Sequence, residues 1–139
     1  LTMTMGGEHV QIYANQSYIT ELFLNLMDNA IKYNHEGGSL NVTVGIEDGK
    51  AVAVFSDTGI GISDEHQSRI FERFYRVDKS RSKKIGGTGL GLSIVKHIVA
   101  YHSGEISLES ELEKGTTITV KLPFNEPETQ QAEETAVTE

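Results

Sequence analysis

The chain has no cysteine among its 139 residues, which excludes disulfides and thiolate metal sites and suits a reducing compartment. Long apolar runs are also missing. The longest, Ala51 to Phe55, falls far short of the ~20 residues a membrane-crossing helix needs. No signal-peptide pattern is present, and the chain opens on Leu1 rather than Met, so it is expected to be a piece of a longer protein with targeting segments upstream. Basic residues are absent from 125–139, which holds five glutamates and a single valine. That composition cannot bury enough surface to fold, so residues 125–139 are expected to be a disordered acidic tail and 1–124 a single domain. Removing those five charges from the net −8 leaves −3 for the body. Seven of the twelve Lys and Arg residues crowd between Arg69 and Lys84. A nearly neutral body with one basic segment points to a local anionic ligand, not a nucleic-acid or membrane surface.

The common phosphate-binding patterns are missing as well. The only Gly-Lys pair, Gly49-Lys50, is followed by Ala51, so there is no P-loop. The glycines at 87, 89 and 91 follow a polar, basic stretch instead of a strand, which argues against a dinucleotide fingerprint. What is present is Gly86-Gly87-Thr88-Gly89-Leu90-Gly91-Leu92-Ser93, opening directly into the apolar stretch 94–99. Clustered glycines leading into a helix allow the backbone close to an anion, and the helix start offers unpaired N–H groups and a positive dipole end. A hinge that merely starts a helix is the plainer alternative.

Along the chain, residues 9–13 alternate as a short strand, and 17–33 carry apolar residues at helical spacing, stopped by Gly37-Gly38. Strands follow at 40–46 and 51–55, joined by Glu47-Asp48-Gly49. Ser63 is placed to cap a short helix with Asp64 and Glu65 in its first turn. Residues 75–88 lack apolar periodicity and are expected to form a mobile loop. A helix from about Gly89 to Ser103 ends at Gly104, and strands at 105–111 and 115–122 complete the series. About five strands and three helices make a two-layer α/β sandwich.

Two polar groups stand out. Glu21, Asn25, Asn29 and Lys32/Tyr33 recur every three or four residues as a stripe on the first long helix. Asparagine is a mediocre helix former, so the stripe is either an exposed face or a source of amide oxygens suited to Mg²⁺. Asp57-Thr58-Gly59-Ile60-Gly61 puts a carboxylate just past a buried strand. That loop reads either as an Asx-type turn or as an acceptor for a ligand's amino group, beside glycines that admit a flat ring.

Taken in order, these pieces resemble the catalytic ATP-binding domain of two-component sensor histidine kinases, within the Bergerat-type ATPases that include gyrase, Hsp90 and MutL. The resemblance covers about residues 8–124. NLMDNAIKY (25–33) is similar to the asparagine box, DTGIGI (57–62) to the first glycine box and FERFYR (71–76) to the phenylalanine box. GGTGLGLSIVK (86–96) is similar to the second glycine box and GTTITVKLP (115–123) to the closing strand. The fold this implies is a mixed, mostly antiparallel five-stranded sheet covered on one face by about three helices.

The resemblance further implies ATP and Mg²⁺ as ligands, with roles residue by residue. Asn29 would coordinate Mg²⁺, and Asn25 would stand near the phosphates or the metal's water shell. Lys32 would reach the phosphates and Tyr33 would stack on the adenine. Asp57 would accept from the adenine amino group, in a pocket shaped by Gly59, Gly61, Ile62 and Thr117. Gly87, Thr88, Gly89, Leu90, Gly91 and Leu92 would close over the triphosphate, with Arg76 and Arg81 as phosphate-contacting cations. Phe71 and Phe74 would pack the lid or serve a plain core role. Asn25, Lys32 and Arg76 would be the residues nearest the chemistry.

One position separates branches of that superfamily. Where the hydrolysing relatives carry a water-activating Glu, four residues before the metal-binding Asn, this chain has Asn25. An amide cannot accept a proton at neutral pH, whereas phosphoryl transfer to a neutral imidazole needs mainly positioning and charge stabilisation. The expected activity is therefore transfer of the γ-phosphoryl of Mg-ATP to a histidine, for relay to a response regulator. An ATP-hydrolysing switch and an anti-sigma-type serine kinase are the alternatives. The family's acceptor histidine lies on a separate dimerisation hairpin, and none of His9, His35, His66, His97 or His102 has its setting. The isolated chain is thus expected to be a cytoplasmic, monomeric module that does not phosphorylate itself, cut from a parent kinase anchored in the membrane.

Overall fold

The computed structural model describes residues 2–7, 11–72, 91–123 and 135–138. In chain order these form β1 (Thr2–Gly7), β2 (Gln11–Ala14), α1 (Gln16–Lys32), β3 (Ser39–Glu47), β4 (Lys50–Asp57) and α2 (Asp64–Gln67). They continue with α3 (Gly91–Tyr101), β5 (Glu105–Glu111), β6 (Gly115–Pro123) and β7 (Thr135–Thr138). The main sheet has five strands in the order β1-β3-β4-β6-β5, and β2 pairs with β7 in a separate ribbon. Among the described residues of the main sheet, β1 runs parallel to β3 and the other three pairings are antiparallel, as is that of β2 with β7.

The strand register puts the core on one face. Val42, Phe55, Ile118 and Leu108 lie opposite one another across four strands, and Val44, Ala53, Val120 and Ile106 form the next such row. All eight belong to the hydrophobic core or pack against it. α1 supplies Ile19, Leu22, Leu26 and Ala30, a helical spacing that faces one side, and α3 adds Val95, Ile98 and Val99. Phe23 meets Phe55 edge to face with ring centroids 5.1 Å apart. Leu22 is 0% exposed, and burying such a side chain contributes about 1.5–3 kcal/mol. The helices thus cover one face of a mixed five-stranded sheet, the sandwich expected from the sequence.

Local chemistry sets the element ends. Asn15 caps α1, its side chain accepting from the Tyr18 N–H at 3.0 Å. Asp48 and Gly49 both have positive φ, the backbone that the tight β3–β4 hairpin demands. At the end of α3 the left-handed residue is Ser103 (φ 58°), not Gly104. The Gly104 N–H reaches back to the Val99 carbonyl and Ser103 to Ala100, a Schellman closure. Gly104 is required for a different reason: a Cβ there would stand 2.5 Å from the Lys121 carbonyl oxygen.

Other expectations change. The fifth strand of the main sheet is β1; the segment expected as a strand over 9–13 appears as β2 and belongs to the ribbon. β1 is an edge strand ending in Gly6-Gly7, residues of low strand propensity. Gly7 sits there because a Cβ at its φ of 115° would collide with the Val44 backbone. Within the expected tail, Thr135–Thr138 pairs with Gln11–Ala14 as β7; residues 124–134 lie outside the described residues. Ser63 stands at the α2 N-cap but makes no side-chain capping bond. The expected loop 75–88 lies outside the described residues.

Candidate functional site

α1 and the ends of β4 and β6 assemble the site. β4 terminates at Asp57, whose register partner is Thr116 at the start of β6. The Asp57 Oδ1 accepts from the Gly59 N–H at 2.8 Å and from the Thr116 N–H at 3.2 Å. The other oxygen takes no hydrogen bond from any described residue. Burial raises the Asp57 carboxyl above its ordinary range, and the two backbone donors partly offset that. The loop after Asp57 is tied down on both sides. The Ile60 N–H donates to the Tyr33 carbonyl at 3.0 Å, and the Ile60 carbonyl accepts from Glu113 at 2.8 Å. Ser39 donates its N–H to Thr58 Oγ1 at 2.8 Å, and the Asn34 amide donates to the Ser39 carbonyl at 2.9 Å.

The glycines of this loop are sterically dictated. Gly59 is buried, and a Cβ on it would lie 2.5 Å from the Tyr33 carbonyl oxygen and 3.0 Å from Asp57 Oδ1. Gly61 has φ 74°, and a Cβ there would collide with the Glu111 carbonyl. The structure therefore places Tyr33 against the loop that carries Asp57, Gly59, Gly61 and Ile62. Tyr33 is half-buried at the C-cap of α1, with its carbonyl as the contact point to the loop.

At the other end of the stripe, Asn25 and Asn29 are half-buried on α1. From Asn25 to Tyr33 the helix rises about 12 Å, enough to separate a base-binding end from a phosphate-binding end. Asn25 donates its side-chain N–H to the Glu21 carbonyl at 2.8 Å. Its Oδ1 lies 3.2 Å from where a Cβ on Gly91 would stand, so the first turn of α3 meets α1 at this asparagine. The Asn29 amide makes no hydrogen bond to another described residue. Among the described residues no cluster of three or more His, Asp or Glu could hold a metal. A cation here would take Asn29 as a hard oxygen ligand and its remaining ligands from water and phosphate, a donor set that fits Mg²⁺.

One assignment moves. Thr117 lies on the opposite sheet face from Asp57, its hydroxyl 3.0 Å from that of Ser56; Thr116 is the residue that faces the site. Two adjacent threonines offer the same chemistry, and only the strand register chooses between them. Lys32 pairs with Asp28 at 3.1 Å. Leu92 is half-buried against the core. Phe71 is half-buried, whereas Phe74, Arg76, Arg81, Gly87, Thr88, Gly89 and Leu90 lie outside the described residues.

The sequence reading missed a set of polar residues behind the loop. Ser110 Oγ accepts from the Ile62 N–H at 2.7 Å and lies 3.0 Å from the Gly115 carbonyl and 2.8 Å from Thr116 Oγ1. Gln67 donates to the Ile62 carbonyl at 2.8 Å and to the Ser110 carbonyl at 3.1 Å. A signal existed: Ser110 continues the inward alternation of Ile106 and Leu108, and a polar residue at an inward position calls for a partner.

The α/β sandwich thus carries a carboxylate with one oxygen committed to the backbone, beside the C-terminal end of α1, and two asparagines further back on α1, of which Asn25 meets the start of α3. Comparisons with known proteins identify the family. The profile described as histidine kinase-, DNA gyrase B- and HSP90-like ATPase matches residues 14–126, and the chain belongs to that family. It is 42% identical over 124 residues to the sensor histidine kinase RppB of Synechocystis, covering 89% of this chain and 27% of that protein. The chain thus spans about a quarter of the length of this curated relative. Among solved structures, the mycobacterial sensor histidine kinase MprB superposes with a TM-score of 0.76 at 31% identity, covering 88% of this chain and 80% of that one. Full-length ShkA, in complex with AMPPNP, gives a TM-score of 0.76 at 28% identity, covering 88% of this chain and 25% of that one. The fold and family are those of the catalytic domain of sensor histidine kinases.

No helix among the described residues is long and apolar enough to cross a membrane.

Proposed function

We propose that this domain binds Mg-ATP and transfers its γ-phosphoryl to a histidine on a separate helical dimerisation domain, for relay to a response regulator. The observation that carries the reading is Asp57. One of its oxygens is fixed by the Gly59 and Thr116 N–H groups, and the other is left to accept from an exocyclic amino group such as that of adenine. Gly59 and Gly61 let the loop pack against the Tyr33 and Glu111 carbonyls, which holds it beside the Asp57 carboxylate where a flat ring would bind. The phosphates would extend along α1 toward Asn25 and the start of α3, whose N–H groups suit an anion. Asn29 would hold Mg²⁺, which when bound neutralises charge on the phosphates. Lys32 would leave Asp28 to reach the phosphate oxygens, an exchange of one surface ion pair for another at little cost. Arg76 and Arg81, from the basic segment, would add cations to the same ligand.

Asn25 favours transfer over hydrolysis, because an amide cannot take a proton from water. The AMPPNP complex of a structural neighbour supports the nucleotide assignment. Alone, the domain would be a cytoplasmic monomer belonging to a parent kinase anchored in the membrane.

Calorimetry of the isolated domain with MgADP, or with a non-cleavable ATP analogue, tests binding; no heat of binding refutes the reading. Transfer is tested with radiolabelled ATP and a supplied hairpin protein. An acid-labile product supports phosphohistidine, and an acid-stable one overturns it.

A further inference from the structure

We propose that Ser110 is a positioning residue for base recognition: its hydroxyl joins the two chain segments that hold the Asp57 carboxylate and thereby sets the preference for adenine over guanine. The inference rests on the role of Asp57 given above.

Asp57, Thr116 and Ser110 occupy one transverse row across β4, β6 and β5. Ser110 does not reach Asp57. It acts on what does. The carboxylate is held by two N–H groups, Gly59 on the loop and Thr116 on β6, and Ser110 grips the chain beside both. On the loop side, Ser110 Oγ takes the N–H of Ile62, immediately after Gly61. On the strand side it donates to the carbonyl of Gly115, the peptide group whose N–H, that of Thr116, points at Asp57. A hydroxyl has one donor and two acceptor sites. With its proton on Gly115, Ser110 accepts from Ile62 and from the Thr116 hydroxyl, 2.8 Å away, and all its capacity is used. Gln67 closes the arrangement from α2, holding the Ile62 and Ser110 carbonyls together.

The Gly115–Thr116 peptide opens β6, paired with Asp57 on one side and with Ser110 and Glu111 on the other, and Ser110 Oγ adds a side-chain bond to its carbonyl. Gly115 has φ 114°, a conformation only glycine adopts easily, and its Cα is pressed against the Asp57 carbonyl, where a Cβ would collide. The 3.2 Å bond from Thr116 is the longer of the two that Asp57 accepts, hence the one most easily lost if the peptide turns. Without Ser110 Oγ, the Ile62 N–H, the Gly115 carbonyl and the Thr116 hydroxyl all lose a partner. The carboxylate then keeps the Gly59 bond alone and pivots about it. A rotated acceptor no longer distinguishes the amino group of adenine from the carbonyl of guanine, while the phosphate end, about 12 Å away along α1, is unaffected.

The test compares ADP and GDP as competitors of a fluorescent ADP in the presence of Mg²⁺, for the wild-type chain, Ser110→Ala, Ser110→Cys and Ser110→Thr. The expected result is a roughly tenfold fall in the ADP-over-GDP preference for Ala and Cys, the scale of one disturbed hydrogen bond to a charged acceptor. It comes from weaker ADP binding with little change for GDP, and Thr restores the preference. Equal losses for both nucleotides in Ala and Cys, or an unchanged preference, overturn the proposal in favour of a purely structural role. The same holds if Ala and Cys both fail to fold. A wild-type chain that binds neither nucleotide refutes the function proposed above, and this is seen before any variant is made.

Discussion

Replacing Asp57 by Asn changes one atom and separates recognition from stability. In the folded domain Oδ1 faces two N–H donors at 2.8 and 3.2 Å. An asparagine must keep its oxygen there, because turning the amide would set donor against donor. Its NH₂ group then occupies the place of the ligand-facing oxygen and meets the adenine amino group as a second donor. The loss is one hydrogen bond to a charged acceptor, so ADP affinity should fall on the order of 10–100-fold, readable by calorimetry. Stability should behave oppositely. Burial raises the Asp57 carboxyl above the ordinary 3.8, so the folded state holds the proton more tightly than the unfolded chain. That contribution is fully present below the ordinary value and is lost as pH rises through the raised one. Asparagine titrates nowhere in that range. At neutral pH the apo variant should therefore melt no lower than wild type, and wild type should gain on it as the pH is taken into the acid range. An unchanged ADP affinity refutes the assignment. A neutral-pH melting temperature lowered by more than about 4 °C, roughly 1 kcal/mol for a domain of this size, shows that the charge itself is structural.

Three further outcomes are expected. Thr117→Val should leave ADP affinity unchanged in the same titration, because Thr117 faces away from Asp57 and bonds Ser56. Gly59→Ala should cost about 1–3 kcal/mol in denaturant unfolding and weaken ADP binding at least tenfold, since the new methyl meets the Tyr33 carbonyl oxygen and Asp57 Oδ1. Leu22→Ala should cost about 2–5 kcal/mol of stability by emptying a fully buried position, with ADP affinity of the folded fraction retained.

The sequence made the local elements legible where one physical signal dominates. α1 has a clean apolar period and Asp48-Gly49 supplies the left-handed hairpin backbone, so both elements lie where expected. Gly59 and Gly61 could be read because close backbone approach dictates their residue type, and Asp57 because a carboxylate just past a buried strand calls for donors. What escaped was set by pairing. Whether Thr116 or Thr117 faces Asp57 depends on β6 register against β4, and nothing in Gly-Thr-Thr itself decides it. β1 was hidden because an edge strand ending in two glycines has weak propensity and gains its order from β3. β7 was hidden because its acidic surroundings speak for a disordered tail, whereas its order comes from pairing with β2. Ser110 was overlooked although its inward position marked it, since its partners are distant in sequence.

The transverse rows carry a consequence for how this domain fails. Phe55, Ile118 and Leu108 form one row, and Asp57, Thr116 and Ser110 form the adjacent row on the same three strands and the same face. A slip of β6 by one residue would turn Ile118, Val120 and Leu122 out to solvent, so the oily interior forbids it. A slip by two would keep greasy side chains inside yet slide Thr116 past Asp57. Burial of the hydrocarbon therefore rules out the odd slip but not the even one, and the N–H bonds that Asp57 accepts from Gly59 and Thr116 favour the one even register that aims the acid.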